Sequence, residues 1–195
     1  MTESTRDAAG NIYGTTATGG TGAGCAGGCG LIYKLDPLGN QTILYTFSGG
    51  SDGDIPLASL VRDGAGNLYS TTFAGGASGF GTVFKLDASG NLTTLYSFQG
   101  ASDGGNPSTS LIRDEAGNLY GTAEIGGTGS CFGGCGVIFR VDSAGNEVVL
   151  HSFMGSPRDG KSPFAGLVAD SNGVLYSTTD KGGRADQGIV YRIGR

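Results

Sequence analysis

The sequence predicts an all-β protein built from four similar repeats. The string Asp-x-x-Gly-x-[Leu/Ile]-Tyr-[Gly/Ser]-Thr begins at Asp7, Asp63, Asp114 and Asp170. The apolar residues are mostly Val, Ile, Leu, Tyr and Phe in short runs, which is typical of strands. Glycine contributes 40 of the 195 residues and interrupts each run before a helix could form.

Four short strands, A to D, align across the copies. Strand A comprises Leu57–Asp63, Ser108–Asp114 and Phe164–Asp170. An Asp-x-x-Gly turn then leads to strand B, because Asp accepts turn amides and Gly adopts positive φ. Strand B comprises Asn11–Thr16, Asn67–Thr72, Asn118–Ala123 and Val174–Thr179. Strand C comprises Leu31–Asp36, Thr82–Asp87, Val137–Asp142 and Ile189–Ile193. Strand D comprises Gln41–Phe47, Leu92–Phe98 and Glu147–Phe153.

This repeat has the size of a β-propeller blade. The successive strings start 56, 51 and 56 residues apart, and four antiparallel strands in that length are typical of a blade. We therefore predict a small four-bladed β-propeller in a single repeat domain, residues 1–195. Its copies lie at about 1–56, 57–107, 108–163 and, as a partial copy, 164–195. A solenoid of stacked hairpins is the alternative, because the period alone does not fix closure.

The two ends depart from the repeat. Ser4-Thr5 stands where the second copy has Leu60-Val61, and the fourth copy has no strand D. An incomplete terminal blade leaves a row of unpaired backbone donors and acceptors. Closure of the ring, a missing part of the chain, or a strand from another molecule could each satisfy them.

The repeat resembles a known bacterial family. The run Gly81–Phe98, followed by Asp-Gly-x-x-Pro and Gly-Asn-Leu-Tyr-Gly-Thr, is similar to the GloVer tandem repeat, which occurs in proteins described as having a choice of anchor. The resemblance implies an exported or surface-anchored bacterial repeat protein, in an extracellular or cell-surface location. It implies no catalytic residue.

Charge and composition exclude two classes of partner. The net charge of −5 argues against nucleic acid, whose binding proteins present a basic surface. The chain has no apolar stretch of the length that spans a bilayer, so we predict no membrane insertion.

The cysteines form two Cys-x-x-x-Cys pairs between strands B and C of copies one and three. In an oxidising compartment they predict two local disulfides, Cys25–Cys29 and Cys131–Cys135. A four-thiolate zinc site would require the two pairs to converge, although copies one and three would lie opposite each other in a four-bladed ring. Free thiols are the remaining alternative.

Other polar residues have a structural interpretation beside the functional one. His151, the single histidine, takes the strand D position of Tyr45 and Tyr96, and we predict an aromatic filler with a polar tip rather than a general base. Asp52-Gly53-Asp54 could hold calcium, but the other copies lack the second carboxylate, which favours turn chemistry. A repeated basic position is expected to form a structural ring, pairing with the recurring aspartates, or an anion site; it comprises Lys34, Lys85, Arg140 and Arg192.

Two further sets are candidates for modification and binding. Asn40 and Asn91 begin glycosylation sequons at equivalent turns. The aromatic residues outside the repeated strand positions are candidates for contact with a ligand such as a sugar: Phe73, Phe80, Phe132 and Phe164.

Three functions are compatible with these features. We predict a non-enzymatic structural or scaffolding module that assembles head to tail with itself through its terminal strands, without a cofactor or a metal. The alternative is an adhesive propeller that binds glycans or surface proteins. A propeller lyase or glycosidase is the third, but catalysis needs asymmetry, and few residues are unique to one copy; they are Glu124, Glu147, His151, Lys161 and Asp186.

Overall fold

The computed structural model describes residues 5–22 and 24–194. These residues form antiparallel strands and no helix, so no helix in the described part could cross a membrane. Residues 1–4, which include the predicted Ser4 position of strand A, lie outside the described part.

Three blades have four strands each, in the order A-B-C-D from one edge of the sheet to the other. Blade 1 comprises β1 (Thr5–Arg6), β2 (Ile12–Thr16), β3 (Leu31–Leu35) and β4 (Gln41–Thr46). Blade 2 comprises β5 (Val61–Arg62), β6 (Leu68–Thr72), β7 (Thr82–Leu86) and β8 (Leu92–Ser97). Blade 3 comprises β9 (Ile112–Arg113), β10 (Leu119–Ala123), β11 (Val137–Val141) and β12 (Glu147–Ser152).

Blade 4 has three strands, which confirms the prediction of an incomplete terminal blade. They are β14 (Val168–Ala169), β15 (Leu175–Thr178) and β17 (Val190–Ile193), with β17 at the edge of the sheet. A separate two-stranded ribbon joins β13 (Gly160–Lys161) to β16 (Lys181–Gly182). The all-β, blade-based architecture is therefore the one that the repeat predicts.

Strand A is shorter than predicted. In the second copy we expected Leu57–Asp63, but only Val61–Arg62 pairs with strand B. The reason is that the backbone carbonyls just before Val61 accept hydrogen bonds from side-chain hydroxyl groups instead of from strand B. Ser70 Oγ donates to Ser59 O at 3.0 Å, and Thr15 Oγ1 of blade 1 donates to Ala58 O at 3.3 Å. This segment thus connects neighbouring blades instead of extending one sheet.

The core lies between the blades and is divided into three buried clusters, one between each pair of consecutive blades. Each contains an edge-to-face pair between the phenylalanine that follows strand D and an aromatic ring on strand C of the next blade. The ring centroids are 5.3 Å apart for Phe47–Phe84, 5.0 Å for Phe98–Phe139 and 5.2 Å for Phe153–Tyr191. Each blade therefore depends on its neighbour for burial.

Candidate functional site

Among residues 5–22 and 24–194, none covers the outer side of the last blade. The strand C residues Ile32, Val83 and Ile138 are each 0% exposed, because the next blade covers them. Their equivalent in blade 4, Val190, is 80% exposed, and Val168 on the neighbouring strand is 63% exposed. We call this side of blade 4 the C face; its residues are Val168, Tyr176, Thr178, Val190 and Arg192.

The C face is concave. All of its residues except Arg192 line a shallow depression of about 310 Å³, together with Ala165, Gly166 and Ser177. The strand register places Val168 opposite Tyr176 and Thr178 opposite Val190, so these side chains share one side of the sheet. At the corresponding place on blade 2, Val83 and Tyr69 are buried by blade 3. The C face therefore has the shape and the apolar character of a blade-binding surface.

The outer side of blade 1 is also left uncovered by the residues that the structure describes. We call it the N face, on the side of blade 1 away from blade 2; its residues are Arg6, Ile12, Tyr33, Leu35 and Ile43. In blade 2 the equivalents of Ile12, Tyr33 and Leu35 are 3%, 0% and 1% exposed, because they pack on blade 1. In blade 1 all three are only half-buried, and Ile43 is 56% exposed.

An arginine–tyrosine contact recurs between consecutive blades, and each face contains one of the two residue types. Arg62 of blade 2 stacks over the Tyr13 ring of blade 1 at 5.8 Å, and Arg113 of blade 3 stacks over Tyr69 of blade 2 at 5.5 Å. Blade 4 has Ala169 at the arginine position, and the equivalent arginine of blade 1 is the exposed Arg6 on the N face. Its tyrosine counterpart is Tyr176 on the C face, so the faces are complementary by internal repetition.

The predicted disulfides are confirmed. Cys25–Cys29 and Cys131–Cys135 each close a loop between strands B and C. A carboxylate of Asp54 lies close to the first pair, but these sulfur atoms are bonded to each other and are not thiolate ligands for a metal. Two disulfides are typical of proteins from oxidising, non-cytoplasmic compartments.

Phe80 takes the place of a disulfide in the second copy. The sulfur atoms of copy three lie against Gly155, and the Phe80 ring lies against the equivalent Gly100. Phe80 also packs on the core between blades 2 and 3. Phe80, one of the four aromatic residues proposed to contact a ligand, therefore packs inside the protein instead.

The other three aromatic candidates are not brought together at one site. Phe132 is fully exposed on the Cys131–Cys135 loop. Phe164 is 49% exposed and lines a groove of about 400 Å³ along the strand A segments of copies two to four, next to Ser110. Phe73 is half-buried, and its carbonyl accepts a hydrogen bond from Asn106 Nδ2 at 2.9 Å.

His151 has the predicted structural environment. Its Nε2 lies 3.1 Å from Asp159 Oδ2, and its ring packs edge to face on Phe153 at 4.7 Å. Tyr45 and Tyr96 make the same contact with Asp52 and Asp103, at 3.1 and 2.9 Å. Asp52 also accepts the Ser48 amide at 2.8 Å, as expected for turn chemistry.

The recurring aspartates have other partners than the basic residues predicted for them. Asp7 accepts bonds from the side chains of Asn11 and Tyr13, at 2.8 and 2.9 Å, and from turn amides. The bond from Asn11 lowers the pKa of Asp7 to about 2. The amide groups of Asn40 and Asn91 make the same kind of bond, to Asp36 and Asp87. These aspartate side chains, and those of both sequon asparagines, therefore make hydrogen bonds within their own turns.

Sequence reasoning missed one ion pair. Lys161 Nζ lies 3.0 Å from Asp186 Oδ1, and Ser156 Oγ donates to the same carboxylate oxygen at 2.8 Å. Ser156 and Lys161 come from the end of the third copy and Asp186 from the fourth, so their spacing in the sequence gives no signal. The pair fixes the ribbon of β13 and β16 beside blade 4.

Glu147 gives the blade 2–blade 3 interface a pH dependence. Its Oε1 is buried without a hydrogen-bond partner among the described residues, and burial, then the charge of Asp103, raise the pKa of Glu147 from 4.5 to about 7. A raised folded-state pKa means that the contribution of Glu147 to stability is fully present below pH 4.5 and is lost as the pH rises through about 7.

We expect Glu147→Gln to remove this fall. Above neutral pH the variant should gain about 1–2 kcal/mol over the wild type, less than the full pKa shift corresponds to, because the half-exposed side chain is screened by solvent. Urea unfolding at a series of pH values measures the difference. Parallel stability curves for the two proteins between pH 4 and about 8 would contradict this assignment.

Comparison with solved structures identifies the class of protein. A luciferin-regenerating enzyme matches 99% of this chain and 60% of its own length, with 19% identity and a TM-score of 0.53. A gluconolactonase from Xanthomonas campestris matches 97% of this chain and 55% of its own length, with 17% identity and a TM-score of 0.57. The chain thus spans less than two thirds of either protein. At this identity the likeness shows the fold alone, which is that of a β-propeller-type repeat protein.

The sequence identifies the family. The model of the Gloeobacter/Verrucomicrobia repeat matches residues 1–195, so the chain belongs to that family of bacterial tandem repeats. This confirms the resemblance carried by Gly81–Phe98. No curated protein matches the chain significantly.

Proposed function

We propose that this protein is a non-catalytic structural module of the bacterial cell exterior, which joins head to tail with further copies of itself. The observation that carries the proposal is the exposure of Val190, at 80% against 0% at three equivalent positions. The N face contains the equivalents of the residues that cover this strand C position in blades 1 to 3. Such a contact between two different faces is heterologous and builds a chain or a ring of molecules.

The charges on the two faces and the compartment indicated by the disulfides both support the proposal. Most contact residues on both faces are uncharged; the charged ones are Arg192 on the C face and Arg6 on the N face. In the joint, Arg6 would face Tyr176 as Arg62 faces Tyr13 within the molecule. The net charge of −5 is thus carried outside the joint and opposes non-specific association. The two disulfides support a location outside the cytoplasm, which we infer to be the cell surface or the extracellular space.

Light scattering after size exclusion tests the proposal. The wild type should show a mass above 19.5 kDa that rises with concentration. Val190→Asp should remain at the mass of one chain, because docking would bury an unpaired charge. As a control, Leu38→Asp alters a residue that is 88% exposed in a turn, and should assemble like the wild type. A wild type of constant mass at high concentration would contradict the proposal.

A second candidate function is carbohydrate binding in the groove beside Phe164. The observation that favours it is a half-exposed aromatic ring in a groove whose ten lining residues include four serines and threonines, which suits a sugar's apolar face and hydroxyl groups. A glycan array probed with the wild type and with Phe164→Ala tests it. Binding that is lost in the variant would support this function, and no bound glycan would remove it.

A further inference from the structure

The disulfide of copy one lies beside a carboxylate. The sulfur atoms of Cys25 and Cys29 and a carboxylate oxygen of Asp54 all lie within 4.8 Å of one another. Cys29 is 0% exposed, and Asp54 Oδ1 is buried without a hydrogen-bond partner among the described residues. A buried carboxylate oxygen without a partner is destabilising. The contact that would stabilise it is a hydrogen-bond donor or a cation, and the disulfide is neither.

Backbone hydrogen bonds hold these three residues together independently of the disulfide. The amide of Gly28 donates to Cys25 O at 3.1 Å, which closes a turn between the two cysteines. The amide of Ile55, the residue after Asp54, donates to Cys29 O at 3.2 Å. Because neither bond involves a sulfur atom, we expect the two sulfur atoms and the Asp54 carboxylate to stay next to each other when the S–S bond is cleaved.

Reduction would turn this group into a set of metal ligands. A dithiol reductant transfers two electrons to the disulfide, so that the S–S bond breaks, each cysteine sulfur receives one proton, and the reductant forms its own disulfide. A zinc ion can then bind both sulfur atoms and release the two thiol protons. Two cysteines with three residues between them have the spacing of zinc ligands, and a carboxylate is a third ligand that zinc accepts. Water can complete the tetrahedral coordination.

We infer that Cys25, Cys29 and Asp54 form a zinc site that is absent from the oxidised protein and forms when the disulfide between the two cysteines is reduced. The thiolates are soft ligands, which favour zinc over calcium and magnesium. The carboxylate comes from a separate segment, so a bound ion would join the cysteine loop to the segment that leads into copy two. None of the three residues belongs to the N face or the C face, so the inference does not depend on the proposed function.

Copy three contains the equivalent disulfide without the carboxylate. The residue equivalent to Asp54 is Lys161, whose amino group lies 3.0 Å from a carboxylate oxygen of Asp186. A lysine ammonium group has no lone pair for a metal and repels a cation. The described residues place no third ligand beside the sulfur atoms of this pair. We therefore expect reduced Cys131 and Cys135 to bind a metal ion more weakly than the pair in copy one.

Cobalt titration of two matched variants tests this inference. The first variant, Cys131→Ser with Cys135→Ser, keeps only the cysteine pair of copy one, and the second, Cys25→Ser with Cys29→Ser, keeps only that of copy three. Both are reduced with dithiothreitol, which is then removed under nitrogen, and Co²⁺ replaces zinc as the probe because thiolate–cobalt charge-transfer absorption reports bonds to sulfur. The first variant should bind one Co²⁺ that Zn²⁺ displaces, about tenfold or more tightly than the second variant does. Before reduction neither variant should show this absorption.

Asp54→Asn, added to the first variant, tests the third ligand. It should weaken cobalt binding about tenfold or more. The protein should still fold, because the equivalent positions of the next two copies hold Gly105 and Lys161. Equal affinity with and without Asp54→Asn would overturn the inference, and so would equal affinity of the two cysteine pairs. Absence of saturable cobalt binding to the reduced first variant would also overturn it, as would loss of the circular dichroism of its strands on reduction.

Discussion

Phe98→Ala should lower the free energy of unfolding by about 3–5 kcal/mol, the largest effect that we expect from truncating one side chain. Phe98 is 0% exposed in the central cluster and contacts the rings of Tyr96 and Phe139 at 5.2 and 5.0 Å. Blades 2 and 3 form the middle of the molecule. A cavity at this position therefore weakens the contact on which both neighbouring blades depend.

Urea unfolding followed by circular dichroism measures this effect. Phe132→Ala is the matched control, because it removes the same side chain from a fully exposed position. We expect it to change stability by less than about 0.5 kcal/mol. If the two variants were equally stable, the packing between blades could not be the main source of stability.

Gly81→Ala should lower the free energy of unfolding by about 2–5 kcal/mol, from backbone strain and overpacking together. Gly81 has φ of +92°, and a Cβ atom there would lie 2.2 Å from Thr72 O and 2.9 Å from Pro107 Cδ. The carbonyl belongs to the neighbouring strand and cannot move aside without breaking the sheet.

Substitutions at two other glycines separate the effect of backbone strain from the effect of overpacking. Gly79 has φ of +84° but open space around its Cβ position, so Gly79→Ala should show the backbone strain alone, about 1–2 kcal/mol. Gly64 has neither constraint, and Gly64→Ala should be neutral or slightly stabilising. Equal losses at Gly79 and Gly81, measured by thermal unfolding, would show that the contact with Thr72 is unimportant.

Internal repetition made most of the fold predictable. Strands B, C and D fall within one residue of their predicted ends in every copy that has them, because aligned copies reveal the alternation of each strand. The disulfides and the position of His151 followed from the same alignment. Strand A was the exception, since the hydroxyl of Ser70 and that of Thr15 compete for its carbonyls, and propensity does not report such contacts.

The candidate site was only partly predictable. The missing strand D indicated an open edge, but the exposed residues on each face emerge only once three interfaces show which side of the sheet each position occupies. The packing of Phe80 on Gly100 and the ion pair between Lys161 and Asp186 join residues that are distant in sequence. The ion pair has no repeated counterpart, and the counterpart of Phe80 in the third copy is a disulfide, so an alignment reveals neither contact.

Mixing two blocked variants tests the head-to-tail joint most directly. Ile43→Asp blocks the N face and Val190→Asp blocks the C face, and each residue is exposed in the single molecule, so both variants should fold. Light scattering should find each variant alone at 19.5 kDa and an equimolar mixture at twice that mass, because one intact N face meets one intact C face. A mixture that stays at the mass of one chain, at concentrations where the wild type assembles, would contradict a head-to-tail joint.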